Sequence, residues 1–344
     1  MLRVKTSVLI PGQMVAKDIE TPENMKLLIK GSVLTKYSID FLLKWKIEEI
    51  YIKEELEEII HNRATTLERL TDSYNKSLIT IISFMEGLKV NNHIELEEVS
   101  EIVAEIEKFV DIMPSLKVIN QLKDTDHYTH QHSINVGIYA TFIGRWLGLK
   151  GEELKKLTYS ALLHDVGKMK IPPEILNKPG LLTPAEYEIM KGHSKEGYNI
   201  LKNNKGLGEE IIIGALQHHE RENGKGYPQG LTGDKIHLFG KVIAIADIYD
   251  AMTSNRVYRG RLSPFETAEK LLESSYGELD ISITKLFVEK LSDFFISSFV
   301  ILNNGKRAQI VAKNQNYPTR PLIRLEDGFI DLSREKNLCI LDVI

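Results

Sequence analysis

Leu162-Leu163-His164-Asp165-Val166-Gly167-Lys168 is the stretch on which the reading of this chain turns. An imidazole and a carboxylate stand side by side in an apolar, helix-like run, where an unpartnered ionisable group is costly. Outward from it lie His132, His193, the doublet His218-His219 and Asp247. Imidazole nitrogens and carboxylate oxygens are the donors that first-row divalent metals take. A pair of metals about 3.5–4 Å apart needs around six or more protein ligands and a bridging carboxylate. These seven side chains supply that number, whereas a lone His-Asp dipeptide would mean little. Neighbouring helical residues point about 100° apart, so His164 and Asp165 address different points. Asp165, with two oxygens, is the natural bridge.

Further motifs follow in order along the chain. Tyr128-Thr129 leads into His132-Ser133, and Ile175-Leu176-Asn177-Lys178-Pro179-Gly180 follows the His-Asp pair. His218-His219-Glu220 precedes Gly226-Tyr227-Pro228, and Ala246-Asp247-Ile248-Tyr249-Asp250-Ala251 closes the series. Together these resemble the HD-GYP family, a branch of the HD-domain phosphohydrolases, from about Lys123 to about Ser298. One departure is Asn223, where many members carry Asp.

The resemblance implies a metal-dependent phosphodiesterase that opens cyclic di-GMP to linear pGpG through a hydroxide held between two metals. A further cut to GMP stays open. It implies that His132, His164 and Asp247 complete the shell of one metal, His193, His218 and His219 that of the other, with Asp165 shared and iron or manganese as the ions. Some members carry Glu four residues before the first histidine ligand and hold a third metal. Here that residue is Tyr128, a poor ligand for a hard ion, so two metals are expected. Lys168, three residues beyond Asp165, falls on the same helical face and could meet a phosphate oxygen or protonate the leaving alkoxide. Lys225 and Tyr227 in the glycine-rich loop, with Arg256 and Arg259 after Asp247, are the further substrate contacts expected. Asp165 and Lys168 are the residues expected to carry the reaction. Two rival readings remain: a hydrolase of another cyclic dinucleotide, and a receptor that binds cyclic di-GMP or a partner without turnover.

The remaining histidines are expected to be ordinary: His61, His93 and His237 at the surface, His127 and His130 out of helical phase with His132. Forty-four basic against 48 acidic residues give a net charge of −4, so no global field attracts a nucleic acid polymer. The single cysteine, Cys339, excludes an internal disulfide and fits a reducing, cytoplasmic setting. Its apolar surroundings predict a buried thiol. No apolar run is long enough to span a bilayer.

Composition shifts along the chain predict a mainly α protein, an all-helical HD-type catalytic domain flanked by small β-containing modules. Residues 1–55 read as an accessory α/β module with a helix over Tyr37 to Lys46. Residues 56–118 read as a helical connector, broken at Asn91-Asn92, with Leu67, Leu70, Tyr74, Leu78 and Ile81 at helical steps. Residues 119–298 form the catalytic domain, in which Thr183-Pro184-Ala185-Glu186 and Ser263-Pro264-Phe265-Glu266 are capping boxes. Residues 299–344, with Asn304-Gly305 and Asp327-Gly328 turns, read as a small antiparallel β module. A diguanylate cyclase, another signalling protein or a second copy of the chain stay open as partners.

Overall fold

Short β-prone runs open the chain and pair into two small ladders. The computed structural model describes all residues except 1, 10–12, 21–25, 29, 31, 33, 35, 53–54, 92–93, 95, 113–118, 120–127, 205 and 255–260. It divides into two units, Met1–Arg69 and Leu70–Ile344. In the first, β1 (Leu2–Lys5) is followed by β2 (Ile19–Glu20), β3 (Lys26–Leu28), α1 (Lys36–Lys44) and β4 (Glu49–Ile52). β1 pairs antiparallel with β4, and β2 with β3. Val15, Ile19, Leu34, Leu42, Ile50 and Ile52 fill their own small core.

The second unit is built on helices. α2 (Glu55–Asn91), which begins before this unit, and α3 (Leu96–Ile112) are separate helices. Val99, Ile102, Val103, Ile106 and Val110 of α3 recur at three- and four-residue steps and are all buried, the stripe that an amphipathic helix turns to a core. Next come α4 (Tyr128–Trp146), α5 (Gly151–Leu162), α6 (Pro173–Leu176), α7 (Pro184–Lys191), α8 (His193–Lys202) and α9 (Glu209–Gln217). α10 (Leu238–Thr253), α11 (Pro264–Ser274) and α12 (Ile281–Asp293) complete the set. α10 buries Phe239, Val242, Ile243, Ala244, Ile245, Ala246 and Tyr249. A helix apolar on most of its circumference belongs at the centre, so the two carboxylates it carries, Asp247 and Asp250, must find partners there.

β5 (Phe299–Leu302), β6 (Arg307–Ala312), β7 (Leu322–Leu325), β8 (Gly328–Asp331) and β9 (Ile340–Val343) form one antiparallel sheet in the order β8-β7-β6-β5-β9. Asn304-Gly305 and Asp327-Gly328 stand at its two hairpin corners, with Leu325 paired to Gly328. Val300, Leu302, Ala308, Ile310, Ile323 and Ile340 point inward and join the core of the helices. Ser263 Oγ donates to the Ile340 carbonyl at 3.1 Å, and Arg320 pairs with Glu269 at 2.9 Å. The expected class, mainly α with small β-containing parts at both ends, is borne out. No helix of the described residues is long and apolar enough to cross a membrane.

Three local expectations need correction. The Thr183 capping box forms in both directions, but at α11 only the Ser263 half is seen among the described contacts, with Glu266 turned towards Lys270. Cys339 is only partly buried, because it precedes the inward-facing Ile340 in a chain that alternates sides. His237 is not a plain surface residue; its ring accepts from the Phe239 amide and caps α10. His130 is half-buried, while His61, His93 and His127 lie outside the described side chains.

Candidate metal centre

The His-Asp pair does not sit within a helix. α5 stops at Leu162, and Leu163 and Asp165 take φ/ψ near −97°/3° and −101°/7°, the sparsely populated bridge region where active-site residues are often found. A short 3-10 turn, Val166–Lys170, follows. The bend lets adjacent side chains turn to one point, which a straight helix forbids. Gly167 makes the turn possible: a Cβ there would meet the His193 carbonyl at 1.9 Å and the Gly197 amide nitrogen at 2.3 Å. Main chain thus packs on main chain, and α8 delivers His193 to Asp165. α7 ends at Lys191 and the helical run breaks at Gly192, so that His193 opens α8.

Five histidines and two aspartates converge. Asp165 Oδ2 lies 3.2 Å from His164 Nε2 and 3.6 Å from His132 Nε2. Asp165 Oδ1 lies 3.4 Å from His193 Nε2 and 3.9 Å from His218 Nε2. One carboxylate therefore faces two separate imidazole groups with its two oxygens. Donor atoms of Asp165, His193, His218 and His219 lie within 4.8 Å of one another, as do those of His132, His164 and Asp165. Asp247 Oδ1 stands 3.2 Å from His132 Nε2, at the edge of the second group.

The rings are aimed by their other nitrogens. His164 Nδ1 donates to the Ala161 carbonyl at 2.7 Å, His193 Nδ1 to Met190 at 2.8 Å, and His218 Nδ1 to Ala215 at 2.5 Å. Each partner is three residues back, at the end of a helical turn. His132 Nδ1 instead donates to Asp250 Oδ2 at 2.8 Å. In His164, His193 and His218, with Nδ1 committed to a carbonyl, Nε2 is left to present its lone pair inward, the arrangement that metal-binding histidines use.

Electrostatics agree with this. Burial holds His193 below the usual imidazole range and His218 and His219 well below it, so these rings are neutral donors. Burial acts upward on Asp165, but His164 and Lys168 outweigh it and keep the carboxylate ionised. Asp247 is likewise held down, by its bond to His132, against its burial. His132 is the exception: burial lowers it, yet hydrogen bonds to Asp247 and Asp250 push it up to about 9. It holds a proton that a metal would displace.

Three observations fit a cation to this donor set. His164 Nε2 and Asp165 Oδ1 are buried atoms without a hydrogen-bond partner, a costly condition for polar groups. His193 Nε2 and His218 Nε2 face each other at 3.3 Å while both Nδ1 atoms donate elsewhere, so two lone pairs meet. The donors themselves, imidazole with carboxylate, suit several first-row ions.

Lys168 Nζ reaches Asp165 Oδ2 at 2.5 Å with its stem partly exposed, so the expected closeness holds, across a 3-10 turn. Tyr227 stacks on His219 with centroids 4.6 Å apart. The loop behind it is clamped: Glu220, only 2% exposed, accepts from Gln229 N at 2.6 Å and Leu231 N at 2.8 Å. Gly226 lies against the His219–Arg221 backbone with no room for a Cβ. Lys225 is exposed, and no contact of its side chain with the cluster is among those described. Arg256 and Arg259 lie outside the described residues, as does the side chain of Tyr128.

Sequence reading passed over Asp250, which sits three residues after Asp247 on the same helix, a spacing that could have revealed it. It also passed over the clamp role of Glu220, and over Lys191, whose ammonium lies 5.8 Å from the Tyr227 ring and 5.5 Å from that of Tyr187.

Residues 117–283 match the HD domain family. A cyclic di-GMP phosphodiesterase from Pseudomonas aeruginosa is 29% identical over 252 residues, covering 73% of this chain and 61% of its own length. A 3'3'-cGAMP-specific phosphodiesterase from Vibrio cholerae is 35% identical, covering 53% of this chain and 42% of its own. The chain thus spans less than two thirds of these curated relatives. In fold it is similar to an HDG"Y"P protein from Bdellovibrio bacteriovorus, at a TM-score of 0.52 and 19% identity, covering 83% of this chain and 97% of that one.

Proposed function

We propose that residues 117–283, which match the HD domain family, belong to its HD-GYP branch, and that the protein is a metal-dependent phosphodiesterase that opens cyclic di-GMP to linear pGpG. The observation that carries the proposal is the split of Asp165, one oxygen towards His132 and His164, the other towards His193 and His218. That division suits two ions sharing one carboxylate, with Asp247 and His219 completing the shells. Two divalent ions, iron or manganese by donor type, would neutralise the phosphodiester and supply a water acidic enough to attack near neutral pH.

The chain's own residues do the rest. Ring nitrogens fixed by the Ala161, Met190 and Ala215 carbonyls hold the donors in place before substrate arrives, which lowers the cost of reorganisation. Lys168, beside Asp165 yet partly exposed, meets a non-bridging phosphate oxygen or gives a proton to the departing ribose oxygen as the P–O bond breaks. Tyr227 forms a wall fixed by Glu220, against which a guanine can stack, with Lys191 near its ring. Lys225, Arg256 and Arg259 remain proposed contacts to phosphate or guanine edges. Residues 1–55, 56–118 and 299–344 serve as accessory module, connector and C-terminal module, and the setting is cytoplasmic.

A second reading, hydrolysis of another cyclic dinucleotide, is favoured by the similarity to the 3'3'-cGAMP-specific relative. Incubating the purified chain with cyclic di-GMP or 3'3'-cGAMP, each with Fe(II), with Mn(II) or without metal, separates the readings. The expected result is metal-dependent pGpG from cyclic di-GMP. Preferential cleavage of 3'3'-cGAMP would establish the second reading, and tight binding without turnover under every condition would make the chain a receptor.

A further inference from the structure

The polar groups behind His132 do not end at Asp250. On α2, Tyr74 Oη lies 2.9 Å from Asn135 Oδ1 of α4, and Asn135 Nδ2 lies 2.9 Å from Asp250 Oδ1 of α10. The other oxygen of Asp250 takes the bond from His132 Nδ1 at 2.8 Å. Tyr74 is 1% exposed, Asn135 1%, Asp250 0% and His132 4%. Four buried polar side chains thus run from a connector helix to one face of the metal centre.

Hydrogen-bond chemistry gives this run a direction. An ionised carboxylate only accepts, so Asn135 must turn its amide nitrogen to Asp250. Its carbonyl oxygen is then left for the Tyr74 hydroxyl, which donates. On the far side Asp250 accepts from His132 Nδ1, and Nε2 faces Asp165 and Asp247 with the proton that a metal would displace. Ser254 Oγ also reaches Asp250 Oδ1, at 3.3 Å, and shares in holding the carboxylate. Apolar packing alone would be met more cheaply by Phe at 74 and Leu at 135, since buried polar groups carry a desolvation cost that only satisfied bonds offset.

We propose that Tyr74 is a positioning residue for the metal centre, acting on the His132 ring through Asn135 and Asp250. The proposal rests on the reading of His132 as a metal ligand. It gives α2 a second task besides packing: the presence of its hydroxyl fixes how firmly His132 is held. A change in the seating of α2 at Tyr74 would then alter metal affinity with no change in any ligand.

The test uses the full chain and Mn(II) alone. Tyr74→Phe keeps the ring and removes the hydroxyl, and Asn135→Leu removes the middle of the run. Tyr139→Phe serves as the control, since Tyr139 is equally buried but bonds Thr253. Two quantities are read: the Mn(II) dissociation constant, and the downfield proton resonance of the His132 Nδ1–Asp250 bond in metal-free protein. Expected are a rise in the dissociation constant of about fivefold in Tyr74→Phe, the worth of one net hydrogen bond, and a displaced His132 resonance. In an Asn135→Leu background Tyr74→Phe should add nothing. Unchanged affinity and resonance in Tyr74→Phe overturn the proposal, as do additive losses in the double variant, or an equal response in Tyr139→Phe. A parent chain that takes up no Mn(II) would sink the metal-centre reading, while the resonance would still decide whether Tyr74 acts on His132.

Discussion

Gly167→Ala is the sharpest perturbation of the way the centre is built. The added Cβ would stand 1.9 Å from the His193 carbonyl oxygen, where real Cβ atoms keep at least 3.0 Å. Main chain must retreat by about 1.1 Å, because the obstacle is backbone and not the end of a flexible side chain. His193 travels with its own carbonyl, and 1.1 Å is about a third of its 3.4 Å separation from Asp165 Oδ1. Metal–ligand distances tolerate only about 0.2 Å, so the displaced ring would leave the shell of the ion proposed for it. Crowding of this kind costs about 1–3 kcal/mol of stability, and a misplacement near 1 Å costs on the order of 100-fold in rate. Urea unfolding, elemental analysis and steady-state kinetics read the three effects. Gly87→Ala is the control: nothing lies within 4 Å of its Cβ, it sits within α2, and it should hold or raise stability by about 0.5–1 kcal/mol. Parent-like stability and two metals in Gly167→Ala would refute the account of His193 placement.

Four further outcomes are expected. Asp165→Ala removes the proposed shared ligand and should abolish hydrolysis with a fall in metal content; a folded variant with full metal and parental turnover rules out the bridge. Lys168→Ala and Tyr227→Phe should keep both metals yet lower kcat or raise KM, and parental kinetics at every substrate concentration would show both to be bystanders. Glu220→Gln turns an amide N–H towards one of two backbone N–H donors, so kcat/KM should fall about 5- to 100-fold at unchanged metal content, from about 1–3 kcal/mol of lost loop support; an unchanged kcat/KM contradicts the clamp. His132 has a raised folded-state value of about 9 against 6.5, so its contribution is present in full below pH 6.5 and lost as pH rises through about 9. Metal-free protein in chelator should therefore unfold at lower denaturant at pH 9.5 than at pH 6.5, and equal midpoints would contradict the Asp247–His132–Asp250 pairing.

Much of this was legible because ligand chemistry leaves a mark in residue type. The seven donors could be picked from the sequence, since imidazoles and carboxylates in apolar surroundings demand a partner. Helices were readable from apolar period, as in α3, and hairpins from Asn304-Gly305 and Asp327-Gly328. What stayed hidden depends on backbone direction. The bridge-region turn at Leu163 and Asp165, the break at Gly192 and the bond of Asp250 to His132 come from contacts far apart in sequence. Tyr74 looked like one more apolar step in a helical stripe, because periodicity cannot tell a buried ring from a buried ring whose hydroxyl is in use. Cys339 was misjudged for the opposite reason: an apolar run was taken as buried throughout, although strand side chains alternate.

The partnerless His164 Nε2 and Asp165 Oδ1 also bear on how long a molecule lasts. Each such buried atom costs about 1–3 kcal/mol, and a bound ion removes that cost while adding its own binding free energy to the native state. A chain made when metal is scarce stands nearer its unfolding threshold than a loaded one, and proteolysis draws on the unfolded fraction. Abundance, and not catalytic rate alone, is then expected to follow metal supply, because the two atoms that an ion would satisfy are the ones that weigh on the native state without it.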